Sequence, residues 1–254
     1  MAGSDNSVVL IQTQRYFRRG NVWRLVNRCL PPLGLASLAA VLEQNKVPVR
    51  ILDAAALDLS SQEIVKEIRN CRPRWVGISA TTVEINGALS LAEAIKAAVP
   101  ETGILFGGAH ATAMPEEVAA HPAVHAVVCG EGEDILLELV RNERRSEVRG
   151  IAFRDDSGRV LLTPPRPVIE DLDRLPMPAY HLLPMRHYRP SLGNFKRLPA
   201  ISMVTTRGCP GRCTFCSVKG MGHRIRSRSA SLLADEIAWL NRKYGIKEIS
   251  FYDD

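Results

Sequence analysis

Three cysteines, Cys209, Cys213 and Cys216, stand within eight residues of one another in T-T-R-G-C-P-G-R-C-T-F-C-S-V-K-G, residues 205–220. Thiolates bunched this tightly are suited to holding metal. A tetrahedral zinc site asks for four ligands, and its usual signature is a C-x2-C pair occurring twice. Here the spacing is C-x3-C-x2-C, no fourth cysteine lies nearby, and His223 sits seven residues beyond Cys216 in a segment of loop composition. Three thiolates on a cubic 4Fe-4S cluster leave one iron open, and an open iron is a coordination site for a substrate or cofactor. A structural zinc with a remote fourth ligand is the competing reading of the same residues.

Other chemistry-bearing residues are dispersed. Cys29, Cys71 and Cys129 lie apart from the triad, so the six cysteines form no disulfide framework and a reducing compartment would keep them free. The N-terminus, M-A-G-S-D-N-S, lacks a secretory layout, and no apolar run approaches the roughly 20 residues of a membrane span, so a cytoplasmic protein with no membrane partner is expected. The net charge is +6, with Arg15, Arg18, Arg19, Arg24 and Arg28 in one run and Arg207, Arg212, Lys219, Arg224, Arg226 and Arg228 around the cysteines. That pattern suits an anionic or phosphate ligand, or equally a solvated basic surface; the excess is too small to indicate nucleic acid. Glu131 and Glu133 could form a carboxylate pair for proton transfer, or favour a helix N-terminus by charge. Asp253 and Asp254 end a strand of the kind that carries catalytic groups in βα barrels, but no catalytic residue can be assigned from the sequence.

The elements that position these residues follow from periodicity. Apolar runs at 8–14, 47–53, 75–81, 103–109 and 124–130 read as strands. Helical faces separate or follow them: Leu35, Leu38, Ala39 and Leu42; Ile64, Val65 and Ile68 after a capping box of Ser60 and Glu63; Leu91, Ile95 and Ala98; a short helix at 115–120; and Ile135, Leu136, Leu139 and Val140. This alternation predicts a doubly wound, flavodoxin-like α/β domain with a parallel sheet covered on both faces. Its ligand rim, beyond the carboxyl ends of the strands, would hold Gln14, Ser79 to Thr81, Gly107 to His110 and Gly130 to Glu133.

A β-hairpin with a D-D-S-G turn follows from Gly150, and 163–199 carries eight prolines, as a connector wrapped over a neighbouring domain would. A strand at 200–206 leads into the cysteine loop; then come a helix with Leu233, Ile237, Leu240 and Tyr244 on one face, its stop at Gly245, and a further strand. The expected division is 1–145, 146–199 and 200–254. A β-loop-α-β unit cannot bury both faces of its strands alone, so the last part is expected to be the first piece of a longer (β/α) barrel, truncated here, and the chain as given is expected not to turn over.

The C-P-G-R-C-T-F-C stretch, with an aromatic residue before its third cysteine and a strand before the loop, resembles the radical S-adenosylmethionine superfamily. The resemblance implies a 4Fe-4S cluster on Cys209, Cys213 and Cys216 whose open iron chelates S-adenosylmethionine. One-electron cleavage would then give methionine and a 5′-deoxyadenosyl radical, with Phe215 against the adenine and a flavodoxin- or ferredoxin-type electron donor. P-P-L-G-L-A-S-L-A-A-V-L-E-Q-N-K-V-P-V-R-I-L-D, V-G-I-S-A-T, G-G-A-H-A-T, C-G-E-G-E and the connector's L-D-R-L-P-M-P-A-Y resemble the cobalamin-dependent branch. That implies cobalamin near Ser79, Thr81, Gly107, Gly108, His110, Gly130 and Glu131. Glycines let the backbone approach a bulky ligand, and small hydroxyl residues can bond it without filling its space.

There is one departure. Where cobalamin domains that replace the cofactor's own base carry D-x-H-x-x-G, residues 12–20 read Q-T-Q-R-Y-F-R-R-G. Base-off cobalamin without a histidine ligand is therefore expected, with His110 a hydrogen-bonding residue of the rim. The family implies methyl transfer to an unactivated carbon or phosphorus of a small molecule, or ring formation or rearrangement. The alternatives are a tRNA methylthiotransferase-like enzyme, with Cys29, Cys71 and Cys129 on a second cluster, and a non-catalytic cobalamin-binding module.

Overall fold

The computed structural model describes residues 6–13, 30–142, 144–188, 190, 195–216 and 219–253. Gln14, Cys29, Asp254 and the 15–28 arginine run lie outside them, as do residues 14–20 of the segment where a cobalt-ligating histidine would be sought.

Five parallel strands, β1 (Val8–Gln12), β2 (Val49–Asp53), β3 (Trp75–Ser79), β4 (Gly103–Gly107) and β5 (Ala126–Val128), run in the order 2-1-3-4-5. Period-two side-chain alternation divides their residues between two cores. Val9, Ile11, Val76, Ile78, Ile104 and Phe106 face one side. There they meet α3 (Ser61–Cys71), α4 (Ile85–Ala98) and the short α5 (Ala109–Ala113) and α6 (Pro115–Ala119). Val8, Leu10, Trp75, Leu105 and Val128 face the other, against α1 (Leu33–Gln44) and α7 (Gly132–Arg141). Helix α3 starts as its sequence dictates: the Glu63 carboxylate accepts the Ser60 N–H at 2.8 Å and the Ser60 hydroxyl accepts the Glu63 N–H. A four-residue helix, α2 (Ala54–Leu57), follows β2 directly, opened by Asp53 accepting the Ala56 N–H at 2.9 Å.

The first unit does not stop at 145. The hairpin strands β6 (Ile151–Arg154) and β7 (Val160–Leu162) join the same sheet antiparallel, Val127 pairing with Ala152, to make seven strands in the order 2-1-3-4-5-6-7. The hairpin therefore belongs to the first domain rather than to the connector. It supplies hydrogen bonds to the edge of β5, which a strand of three residues would otherwise leave open.

Strand β8 (Ala200–Met203) pairs in parallel with β11 (Glu248–Phe251), linked through α8 (Ala230–Tyr244), which Ser229 caps and Gly245 ends in the left-handed conformation. Between them, β9 (Thr206–Arg207) and β10 (Arg226–Ser227) form the two-residue antiparallel base of the cysteine loop. A third core joins Ile201, Met203, Leu240 and Ile246 to Tyr180, Leu183 and Tyr188 of the connector and to Ala36 of α1. The connector is thus packed into the interior: Tyr180 is 1% exposed, and the Tyr188 hydroxyl donates to buried Asp53 at 2.7 Å.

Candidate functional site

A cavity of about 330 Å³ opens where β1, β3, β4 and β5 end, at the point where strand order reverses and such sheets place their ligands. Leu10, Leu38, Leu105 and Leu136 make an apolar floor; Ser79, Gly107 and Gly130 stand on the rim; Val204, Arg207, Arg228, Tyr180 and Glu236 close it from the β8–α8 side. Two glycines leave room for an occupant. A Cβ on Gly34 would meet nothing within 4 Å, and one on Gly107 nothing nearer than Val128 at 3.9 Å. Side chains at either position would fill the cavity instead of striking the protein.

Charge at this junction is internal. The Glu131 carboxylate, 4% exposed, accepts from Arg226 Nη1 at 2.9 and 3.0 Å, from Arg207 Nη1 at 3.3 Å and from the Ile169 N–H at 2.7 Å. Glu133, equally buried, accepts from Arg207 Nη2 at 2.6 Å and from the Ser37 hydroxyl at 2.8 Å. Burial pushes the Glu133 carboxyl up, but the Arg207 charge and the hydrogen bonds from Arg207 and Ser37 outweigh it, so the net shift is downward. A second pair lies beside the first: Arg228 donates to Glu236 at 2.5 Å, and the Tyr180 hydroxyl donates to the other Glu236 oxygen at 2.7 Å.

These contacts correct two sequence expectations. Three of the arginines around the cysteines, Arg207, Arg226 and Arg228, are spent on buried carboxylates of this chain and present neither a solvated surface nor a free anion site. Glu131 and Glu133 do not serve as a proton-transfer pair, because both are locked to arginine and Glu133 is held ionised. The other expectation, negative charge at a helix N-terminus, fits their places: Glu131 is the N-cap of α7 and Glu133 lies in its first turn, without a side-chain capping bond.

Of the expected rim residues, Ser79, Gly107, Gly108, Gly130 and Glu131 line the cavity. Thr81 does not: its N–H and hydroxyl both donate to Glu84, at 2.9 and 2.8 Å, bracing the turn into α4. His110 is buried in α5 with Nδ1 3.2 Å from the Thr82 hydroxyl, and it also stays out of the lining. Phe215 is 91% exposed at the loop tip. Cys209 is half-buried, while Cys213 and Cys216 are exposed; all three are free thiols. A Cβ on Gly211 would lie 3.3 Å from the Cys209 sulfur and 3.7 Å from that of Cys213, so two sulfurs flank one small residue. Asp253 accepts the N–H groups of Thr205 and Thr206 and the Thr205 hydroxyl, tying the end of β11 to the entrance of the cysteine loop. Cys71 ends α3 against the first core, and Cys129 follows β5 with its thiol pushed up to about 11 by burial. Neither has the environment of a metal-binding thiolate.

Ser37, Tyr180, Arg207, Arg228 and Glu236 were missed as site residues. Ser37 and Tyr180 lie inside stretches quoted for the family resemblance, and Arg207 and Arg228 in the basic run, but neither signal says which glutamates they will meet.

With this geometry in view, comparison with known proteins is informative. Residues 23–140 match the family model described as the B12 binding domain. The uncharacterized methyltransferase PH0819 of Pyrococcus horikoshii is 37% identical over 237 residues, which are 91% of this chain and 50% of that protein. The cobalamin-dependent S-adenosylmethionine radical enzyme OxsB, solved with aqua-cobalamin and S-adenosylmethionine bound, superposes with a TM-score of 0.78 at 20% identity, over 98% of this chain and 34% of that one. By these matches the chain carries a B12-binding domain and shares the fold of that radical enzyme. The anaerobic magnesium-protoporphyrin IX monomethyl ester cyclase of Rubrivivax gelatinosus is also similar, 32% identical over 85% of this chain and 40% of that protein. The chain spans half or less of the length of these curated relatives.

The residues present fit the two groups that the sequence resemblance implies. An apolar cavity under a glycine rim, with open space above Gly34 and Gly107, suits an inserted portion of a large ligand. Three thiols with no disulfide suit a cluster held at three corners. Among the described residues no three His, Cys, Asp or Glu side chains already converge on a metal position.

Proposed function

We propose that this chain is the cofactor-bearing front part of a cobalamin-dependent radical S-adenosylmethionine enzyme that transfers a methyl group to an unactivated carbon of a small molecule. The observation that carries the reading is one cavity walled on one side by the glycine rim of a B12-binding sheet and on the other by the strands flanking a C-x3-C-x2-C loop. Cys209, Cys213 and Cys216 would hold a 4Fe-4S cluster; Ser79, Gly107, Gly108 and Gly130 would border the corrinoid. The bound cofactors would supply reductive cleavage of S-adenosylmethionine and a carrier for the methyl group. The protein's own residues hold the loop against the rim, exclude water with the leucine floor and keep the Glu133 carboxylate ionised. Exposure of Phe215 beside the cysteines leaves its ring free to stack on a bound adenine.

Ring formation is the second reading of the same site, favoured by the similarity to a cyclase. An electron donor of flavodoxin or ferredoxin type is part of the proposal, as is a cytoplasmic location, which suits free thiols. Among the described residues no helix is long and apolar enough to cross a membrane.

The test is anaerobic reconstitution of the full-length protein with iron, sulfide and hydroxocobalamin, assayed for bound metal, bound corrinoid and 5′-deoxyadenosine. About four irons per chain are expected, with iron and product both lost in Cys209→Ala, Cys213→Ala or Cys216→Ala while corrinoid is retained. Zinc without sulfide would reject the reading, and about eight irons without corrinoid would favour methylthiolation.

A further inference from the structure

We propose that Glu131, a residue of the first domain, is the positioning residue for the cysteine loop. Its carboxylate bridges the two arginines at the base of that loop, and so sets where Cys209 stands relative to the cavity. The consequence for catalysis rests on the cluster reading above; the ordering of the loop does not.

The loop's base is too small to stand alone. Strands β9 and β10 pair over two residues each, and isolated two-stranded ribbons are marginal in water even when longer. The register makes matters worse, because Arg207 lies directly opposite Arg226, and like charges facing each other across strands repel. Glu131 reverses the sign of that contact. It accepts from both guanidinium groups from a position 4% exposed, and with Glu133 it balances two positive charges with two negative ones.

Arg226 carries the restraint onward. Besides Glu131 it donates to the carbonyl of Ile169 in the connector and, through Nη2, to the carbonyl of Met221 on the far limb of the loop, both at 2.6 Å. The near limb is fixed against that far limb. Gly208, at φ +92°, passes so close to Arg224 and Met221 that a Cβ would come within 2.3 Å of one carbonyl oxygen and 2.9 Å of the other, and the Cys209 N–H donates to the Gly222 carbonyl at 3.2 Å. A chain of contacts therefore runs from Glu131 through Arg226 and Met221 to the backbone of Cys209. A second seam supports it, since a Cβ on Gly220 would lie 2.5 Å from the Thr112 methyl group, and one on Gly130 would lie 3.2 Å from the Gly220 carbonyl oxygen.

The experiment uses the full-length protein without cofactors, reduced and anaerobic, and follows amide exchange and iodoacetamide labelling of Cys209, with Cys129 as internal reference. Glu131→Gln, which keeps the shape and removes the charge, is expected to speed both at Cys209 by about tenfold or more and leave Cys129 unchanged, because a buried ion pair that loses one partner is strongly destabilised. Arg226→Lys should do the same, since lysine cannot bridge three acceptors with a fork. Glu138→Gln, which breaks an ion pair to Arg166 elsewhere at the connector, should leave Cys209 unaffected. After reconstitution, the paramagnetic resonance spectrum of the reduced cluster with S-adenosylmethionine should differ between Glu131→Gln and wild type. Wild-type rates at Cys209 in folded Glu131→Gln would overturn the proposal. If that variant does not fold, Glu131→Asp takes its place: faster Cys209 exchange supports the proposal and wild-type rates overturn it. Failure of the wild type to bind iron would remove the cluster reading and leave the exchange result to decide the role of Glu131.

Discussion

The seven-stranded sheet closes two cores largely with its own helices, with Ala179 of the connector added to one, whereas the strands that lead to the cysteines close theirs with the connector's Tyr180, Leu183 and Tyr188 and with Ala36 of α1. In the first region the ligand space is built into the backbone by Gly34 and Gly107, on elements whose side chains are already buried. In the second, the cysteines sit on a loop whose base is held from outside by Glu131, whose entrance is tied by Asp253, and whose neighbouring helix is anchored by Tyr180. One region is built mainly from its own elements; the other takes its shape by docking on it. Only the arrangement of the two regions brings the residues flanking the cysteine loop and the glycine rim to the same cavity.

Breaking the scaffold should break both regions. Ile104, fully buried in β4, loses most of its side chain in Ile104→Ala, with an expected cost of about 2–5 kcal/mol. Denaturant unfolding of the full-length protein should show the loss, and Cys209 labelling should accelerate with it. Breaking the docking should spare the scaffold. Tyr180→Phe leaves a buried Glu236 oxygen without its donor, at an expected cost of about 1–3 kcal/mol. In exchange measurements the loss should be confined to α8 and β8, with the amides of β1, β3 and β4 unchanged; equal acceleration in both regions would show that they unfold as one unit.

Acid should separate the regions more gently, because two buried carboxyls have shifts of opposite sign. Glu133 lies below its ordinary 4.5, so its contribution to the junction is complete above that value and is lost as the pH falls through the lowered native one. Asp53 lies above its ordinary 3.8, raised by burial against the lowering effect of the Tyr188 hydroxyl and nearby N–H groups. Its ionised form is the costly one, so acidification relieves the scaffold there. Each group can change stability by at most about 1.4 kcal/mol per pH unit. Between pH 7 and pH 3, exchange at Cys209, corrected for the intrinsic rate, should accelerate before exchange at the amides of β1 and β3.

The scaffold was largely legible in the sequence because its signals are local. Alternating runs gave the five parallel strands, and Ser60 with Glu63 gave a helix start that the structure reproduces atom by atom. The edge was not legible: nothing in I-A-F-R states that it will pair with V-V at 127–128, since strand pairing is decided by which edge remains open. The helix Ala54–Leu57 escaped because three alanines carry no face, only the Asp53 cap. At the site the rim glycines could be read from residue type and strand position. The fates of Arg207, Arg226 and Arg228 could not, because a count of charges does not say which glutamate, some 75–95 residues away or eight residues along a helix, will meet each one. Thr81 and His110 had the right residue types at the right strand ends, and the structure sets them outside the cavity lining, Thr81 bonded to Glu84 and His110 Nδ1 against Thr82.

The seam where Gly220 and Gly130 bring two backbones together leaves no room for a side chain at Gly220, whose Cβ would strike the Thr112 methyl group. Modular swapping is constrained accordingly: a chimaera that grafts a foreign barrel onto this front half must import a glycine at that crossing and arginines matched to Glu131 and Glu133, or the two halves will meet out of register.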